Sequence, residues 1–496
     1  MRLSWLFPGW TLISSASAYQ NTTISPNCQN ACQLLQVAFG PTAVQYFAQD
    51  NFTIWDAKQQ EVRYACRFEP SNTTDVAAGL RILTGAWCNF AVKCGGHSRD
   101  PDFSSSVGGV TIDLKNMNGV EAANNGTRAR IGGGAVTADV YAALDARNLT
   151  FAGGRVGSVG VGGFATGGGT SPLASRHGWA IDSIYEYELV LPNATVVTVD
   201  EHQHPELYWA LRGAGGGNFG IITSFVIQNF PQGQLYAGSR AWNGNYTERV
   251  IDEVYNLYTS QDNNSNMSLE YYYGYVARSD NYSLAANVRY YDPVEDPQVF
   301  DRLDSIPAIA RSQRNITLGN LAGPGHIPAT PPPLRHLFQT TTNFPSREWL
   351  QNSLRIFREE IGEVKSVEGI NPQLITYPIP SRAIRGMTVR GGNALGLNGV
   401  QGPLFVTLLS TAWASAEDDA RVGEFYDRVF KKLEDSAQSL NVYHPYKYIG
   451  YGRLGQDIFS SYGEANNERL VQVQESVDPQ GIFTSGGLCH GGFKLR

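Results

Sequence analysis

The sequence predicts an α+β protein of at least two domains, on three observations. The chain has 496 residues, more than one hydrophobic core can organise. From about Ala57 its apolar residues follow a β–α–β pattern. Beyond Pro231-Gln232-Gly233, aromatic-rich strands alternate with amphipathic helices, the mark of an antiparallel sheet covered by helices. Apolar residues make up 42% and charged residues 17% of the chain, an ordinary globular composition that excludes a disordered one.

The first eighteen residues read as a secretory signal. Arg2 supplies the positive end, Leu3 to Ile13 the apolar stretch, and Ala16-Ser17-Ala18 a small-residue cleavage site before Tyr19. Pro8 and Gly9 interrupt the stretch, which is too short to span a bilayer, and no later segment has some eighteen continuous apolar residues. The expectation is a secreted protein with no membrane span. Residues 19–56 form an N-terminal segment with a helix around Ala31 to Ala38.

A first domain is expected over residues 57–232. Tyr64 to Phe68 reads as a strand, Asn72 opens a helix through Val76, Leu80 and Leu83, and Phe90-Ala91-Val92 is a second strand. Asn72, with Asp75 in the first turn, has the chemistry of a helix start. Strands follow near Val110 to Leu114 and Arg128 to Ile131, then a helix through Val140 and Leu144. Ile184 to Leu191 and Thr195 to Val199 read as a hairpin around Pro192-Asn193-Ala194, Pro205 to Leu211 as a short helix, and Ile221 to Ile227 as another strand.

Between these elements runs Gly153 to Gly169, in which glycines alternate with Val and Phe. A flexible linker needs no such apolar insertions. The pattern suits backbone packed closely against a flat or charged partner, where Cβ atoms would clash. Residues 233–445 read as a second domain. Its expected strands are Leu269 to Val276, Ser283 to Tyr291 and Leu404 to Ala412, and its helices Trp349 to Ile361 and Glu417 to Leu440. Gly319 to Leu334 reads as a loop. Residues 446–496, with a helix over Glu464 to Glu475, form a C-terminal segment that returns to the first domain.

Net charge is −7. With no run of Lys and Arg, a nucleic-acid partner is not expected. The six cysteines, Cys28, Cys32, Cys66, Cys88, Cys94 and Cys489, favour disulfides in an exported chain, with fifteen connectivities open. A Cys88–Cys94 bridge is disfavoured: a strand between them would hold them roughly 20 Å apart, against a limit of roughly 7 Å. Neither CxxC nor close Cys/His spacing appears, so no metal is expected. Sequons for N-glycosylation occur at Asn21, Asn51, Asn72, Asn125, Asn148, Asn193, Asn245, Asn263, Asn266, Asn281 and Asn315, which agrees with export.

The chemistry is expected at His97. Gly95 and Gly96 offer consecutive N–H groups able to cradle a pyrophosphate, and a neutral imidazole beside them is a competent nucleophile near pH 7. The run Phe90-Ala91-Val92-Lys93-Cys94-Gly95-Gly96-His97-Ser98 resembles the flavin-attachment loop of the berberine bridge enzyme-like oxidoreductases. These belong to the vanillyl-alcohol oxidase superfamily, with its PCMH-type FAD-binding domain. Val159-Gly160-Val161-Gly162-Gly163 with Gly167-Gly168-Gly169, Leu207 to Gly213, Asn218 to Thr223, Asp478 to Phe483 and Gly491 to Leu495 carry the same resemblance. It covers nearly the whole mature chain in consistent order, and the tail is similar to fungal secreted members.

The resemblance implies a two-lobed FAD-binding domain with FAD bonded from His97 to its 8α-methyl. Contacts are implied for Gly95, Gly96 and Ser98, for Ser158, Val159, Gly160, Gly162 and Gly163, and, near the adenine, for Ile221, Ile222 and Thr223. Many members have a second, cysteinyl link; Val156 stands at that position, so a single link is implied. Val159 matches a position that governs oxygen access, and its small size favours an oxidase. Tyr451 and Asn466 are the implied catalytic candidates, although Gly450 replaces an Asn that relatives carry. His177 stands where a Tyr is usual and reads as structural. Glu270, Tyr271 to Tyr273 and Tyr290 lie on strands that could face the flavin. The function implied is oxidation of a small or medium organic substrate by O2, of the secondary-metabolite type, in a monomer. An extracellular carbohydrate oxidase and a flavin-bearing protein without turnover are the alternatives.

Overall fold

The computed structural model describes residues 22–123, 125–260, 264–325 and 333–495. The expected signal segment and the sequons at Asn21 and Asn263 fall outside them. Among the described residues the strands build a four-stranded, a five-stranded, a two-stranded and a nine-stranded sheet. No described helix is long and apolar enough to cross a membrane.

The four-stranded sheet has the order Val44–Tyr46, Cys66–Phe68, Val110–Asp113, Phe90–Lys93, and its last three strands are parallel. The crossover from Cys66–Phe68 to Phe90–Lys93 is the helix Thr73–Gly85, whose start is fixed by Asn72 Oδ1 accepting from Asp75 N at 2.9 Å. Val76, Leu80 and Leu83 recur at helical spacing and are buried on the sheet, each contributing about 1.5–3 kcal/mol. Gly79 in the same helix makes room for the Phe68 ring, which a Cβ there would strike. The loop leaving the carboxyl end of Phe90–Lys93 carries Cys94 to Ser98, at the end of a parallel sheet where ligands gather.

Disulfides Cys28–Cys88 and Cys32–Cys66 pin the helix Pro26–Phe39 to this sheet, with Cα separations of 4.8 and 6.0 Å. Loops of this length restrict the unfolded chain by an amount worth ~4 kcal/mol each. Cys94 and Cys489 are free, so four of the six cysteines are bridged. The C-terminal segment packs here as well: Phe90 N donates to Leu488 O at 2.9 Å, and Phe483 meets Phe90 edge to face.

The five-stranded sheet runs Val120–Ala122, Arg128–Gly132, Ile221–Gln228, Ile184–Val190, Val196–Asp200. The glycine-rich stretch lies beside it and contains a short helix, Val161–Thr166. The nine-stranded sheet begins at Leu235–Trp242, just past Pro231-Gln232-Gly233. On one face lie the helices Arg347–Glu360 and Asp419–Ser439, which bury Trp349, Leu354 and Phe357 and Phe425, Val429 and Leu433. Its other face turns toward the five-stranded lobe, sharing a core through Ala237, Tyr377, Ile379 and Val406. The strands Leu235–Trp242, Arg335–Asn343 and Asn371–Ile379 escape the sequence pattern. The last carries Pro372 and Pro378 near its ends, residues that argue against a strand. Within the expected loop Gly319 to Leu334, Leu318–Ala322 is helical, capped by Thr317 Oγ1.

Asn51, Asn72, Asn125, Asn148, Asn193, Asn245 and Asn281 are exposed, whereas Asn266 and Asn315 are half-buried. Asn266 Nδ2 donates to Asp292 at 2.6 Å.

His177 stacks on Phe230 at 3.8 Å, and burial, helped by Arg176 and Arg382, lowers its pKa to about 4. The unfolded chain therefore takes up a proton between about pH 6.5 and 4 that the folded chain refuses, and stability falls as pH drops through that window. His177→Phe keeps the stack and removes the titration. Its melting temperature should drop less between pH 7 and pH 5 than that of the parent; equal drops would show that His177 does not titrate this way.

Candidate functional site

Two glycine loops from distant parts of the sequence meet at the end of the parallel sheet. A Cβ on Gly95 would lie 2.6 Å from the Gly160 Cα, and one on Gly160 would lie 2.6 Å from Cys94 Sγ. Only glycine at both places allows this contact. Gly96 has φ +75°, a left-handed conformation that a side chain resists. Gly162 packs near Gly133 O and Cys94 Sγ, while Gly163 faces open space. The second loop is held from behind by Val159 O, which accepts from Thr137 N at 2.9 Å and Thr137 Oγ1 at 3.0 Å.

This contact places His97 against Ser158. Nε2 and Ser158 Oγ share a hydrogen bond at 2.7 Å. Burial, with repulsion from His336 and Arg99, lowers the His97 pKa to about 3, so the imidazole is neutral at ordinary pH. With Nε2 carrying the proton, Nδ1 keeps its lone pair. Ser98 is half-buried beside it.

The nine-stranded sheet closes the site from the other side. Trp55 stacks on His97 at 4.5 Å and on His336 at 3.8 Å. His336 Nδ1 lies 3.2 Å from Asp56 Oδ2. His336 and Phe338 alternate along the strand Arg335–Asn343 and so share a face; Phe338 meets Trp55 at 5.9 Å and Tyr451 at 6.1 Å. Arg99 lies over the Phe338 ring at 4.3 Å and donates to Gly452 O at 2.9 Å. Tyr451 touches Tyr448 at 4.9 Å and Tyr377 at 6.1 Å, and Arg155 lies over the Tyr377 ring at 4.9 Å. An aromatic wall thus runs from His97 to Arg155.

Glu270 and Tyr272 face this wall, while Tyr271 and Tyr273 point into the helix-covered core. Glu270 takes both terminal nitrogens of Arg289 at 2.7 Å and lies 3.4 Å from Arg155. Burial raises its pKa, but the two guanidiniums outweigh burial and hold it at about 2. Ile221, Ile222 and Thr223 lie farther along the five-stranded sheet, where Thr223 O accepts from Gly133 N at 2.7 Å. Asn466 donates its amide to Ala394 O and Tyr462 O, not to Tyr451. Among the described residues no group of His, Cys, Asp and Glu is placed to hold a metal ion.

Trp55, Arg99, Arg155, His336 and Phe338 also line the site. Their meeting depends on tertiary packing, and neither spacing nor a motif marks them.

The glycine backbones, the open face at Gly163 and the neutral, oriented imidazole fit a large flat cofactor with a pyrophosphate. Comparison with known proteins agrees: the model of an FAD binding domain family matches residues 64–200. An FAD-dependent monooxygenase of Cochliobolus heterostrophus is 31% identical, over 100% of this chain and 99% of its own length. The chain belongs to the family of FAD-linked oxidoreductases that this relative represents. Among solved structures, BBE-like 1 of Physcomitrella patens matches with TM-score 0.76 at 16% identity, covering 94% of this chain and 99% of that one. The glucooligosaccharide oxidase of Acremonium strictum, described with a 6-S-cysteinyl, 8α-N1-histidyl FAD, matches with TM-score 0.74 at 19% identity, covering 94% and 100%. The chain is accordingly an FAD-dependent oxidoreductase with a PCMH-type flavin fold.

A methyl group at Gly160 tests the loop contact. Gly160→Ala forces the Cys94–Ser98 loop away, at a cost of about 1–3 kcal/mol or more. The variant should keep its circular dichroism yet purify without yellow colour. Full flavin content would show that the two loops tolerate separation.

Proposed function

We propose that this oxidoreductase is a secreted oxidase that carries FAD on His97 through one 8α-histidyl bond. The observation that carries the reading is the neutral His97 imidazole fixed by Ser158 beside the Gly95–Gly160 contact. With Ser158 on Nε2, Nδ1 is the nitrogen available for attachment. A second link lacks a donor: Val156 has no thiol, and burial raises the pKa of the nearby Cys94, keeping it protonated. Gly95, Gly96, Ser98 and the Ser158–Gly163 loop would hold the cofactor, with Ile221 to Thr223 toward its adenine. Export is supported by the two disulfides, which persist in oxidising compartments.

Bound FAD supplies a two-electron acceptor that O2 can reoxidise. The protein orients the substrate and excludes water. Trp55, Phe338 and Tyr377 offer flat apolar surface, and Tyr451 offers a phenol that can hold or move a substrate proton. Asn466 is assigned no such part, since its amide is already committed. The substrate read from these walls is a small or medium organic molecule. An oligosaccharide is disfavoured by the lack of a thiol at Val156, given the double link described for the Acremonium strictum enzyme.

The name of the Cochliobolus heterostrophus relative favours a second reading, insertion of one oxygen atom into the substrate. An oxidase converts SH2 and O2 into S and H2O2. A monooxygenase leaves one oxygen atom in the product and consumes a reductant. A substrate panel under 18O2 separates them: stoichiometric peroxide with unlabelled product is expected, labelled product would replace the oxidase with a monooxygenase, and no turnover would leave a flavin carrier.

Val159 is the residue proposed to admit oxygen. Val159 is half-buried, and Val159→Leu extends its side chain by one methylene into the space beside the loop. After anaerobic reduction the parent should reoxidise quickly in air and the variant markedly more slowly, with turnover on an artificial acceptor preserved. Equal rates would show Val159 to be packing alone.

A further inference from the structure

Arg155, Arg289 and Glu270 form a buried cluster where the glycine-rich stretch meets the nine-stranded sheet, with side chains 18%, 5% and 2% exposed. Arg289 and Glu270 are joined through two parallel hydrogen bonds from the terminal nitrogens of the arginine, which leaves its Nε edge free. Arg155 stands over the same carboxylate at 3.4 Å, and its Nη1 donates to Thr170 O at 2.7 Å. The other ionisable groups facing the two guanidiniums are the phenols of Tyr141, Tyr272, Tyr291, Tyr377 and Tyr451. Two guanidiniums against one carboxylate leave a positive charge over. Arg289 Nε is buried without a hydrogen-bond acceptor, and Arg155 Nε has only the 3.4 Å ion-pair contact with Glu270. A buried cation and a buried N–H without a partner are costly, and among the described residues Glu270 is the one carboxylate paired with either guanidinium.

Beside this cluster is a cavity of about 170 Å³. Arg155, Arg289, Tyr272 and Asn287 give it a polar wall, and Val156 and Leu321 an apolar one. A cavity of roughly 150 Å³ suffices for one benzene ring. Val156 lies three residues before Val159, and Val159 N donates to Val156 O at 3.2 Å, so the cavity adjoins the loop assigned to the flavin.

We propose that this cavity is the subsite for the acidic end of the substrate, a carboxylate on a compact apolar body, received by Arg155 and the free edge of Arg289. Its role in the reaction rests on the flavin placement proposed above. The charge surplus excludes an amine at this end, and the small volume admits one ring or a short chain rather than a sugar unit with its shell of hydroxyls.

Benzoate and its uncharged counterpart benzamide test the subsite, by calorimetry on the flavin-loaded protein. Benzoate should bind at least about tenfold more tightly than benzamide, the difference expected of one charge-assisted hydrogen bond. Arg155→Gln leaves the Arg289–Glu270 pair intact; it should remove that preference, and Arg155→Lys should restore part of it. A matching melting temperature confirms that the variants are folded. Equal affinity for the two ligands, no benzoate binding, or an unchanged preference in Arg155→Gln would overturn the subsite. The flavin absorption spectrum, recorded in the same titration, should shift on benzoate binding. Benzoate binding with the stated preference but no spectral shift would keep the anion site and overturn only its place beside the flavin.

Discussion

The site depends on one contact, the backbone of Gly95 lying against the backbone of Gly160. Neither position can carry a side chain, because each Cβ would fall on the other loop. The contact joins the end of a parallel strand in one sheet to the loop beside another sheet, so it also sets how the two lobes of the flavin domain approach. His97 lies two residues from Gly95 and Ser158 two residues from Gly160, which is why their 2.7 Å hydrogen bond can form. The low pKa of His97 follows from the burial that this closure brings.

The second domain contributes through the alternation of its strands. Tyr271 and Tyr273 go into the core beneath the two long helices, which leaves Glu270 and Tyr272 on the opposite face. The strand Arg335–Asn343 presents His336 and Phe338 to Trp55 by the same rule. A sheet buried on both faces thus serves as a core on one side and as a wall of the site on the other. Its charged groups are paired across the domain boundary: Arg155 from the glycine-rich stretch meets Glu270 from the sheet. Removal of Glu270 would leave two buried guanidiniums unopposed, so this residue matters to stability before it matters to any reaction.

Elements with strong local signals were legible in the sequence. The helix Thr73–Gly85 begins at the cap chosen for it, and Asp419–Ser439 repeats its apolar residues at helical spacing. The strands Phe90–Lys93 and Ile184–Val190 fall where their apolar runs predict. Strands that rely on the sheet around them were not legible. Asn371–Ile379 carries two prolines and is stabilised by neighbours on both sides, and Arg335–Asn343 is rich in Thr and contains no alternating apolar run. At the site, the glycine spacing suggested close packing but not which loops touch, since Gly95 and Gly160 are far apart in the chain. Trp55 and Arg155 had no local signal, because their significance lies in the residues brought against them by folding.

The closure at Gly95 and Gly160 is proposed to make His97 the one point of covalent attachment for FAD. Trypsin cuts after Lys93 and Arg99, so His97 should lie on the short peptide Cys94-Gly95-Gly96-His97-Ser98-Arg99. Digestion of the denatured, reduced and alkylated protein followed by mass spectrometry reads the attachment directly. One flavin-bearing peptide is expected, this one, with the flavin on the histidine and Cys94 alkylated. Flavin released on denaturation, flavin on Cys94, or a second flavin-bearing peptide would contradict it.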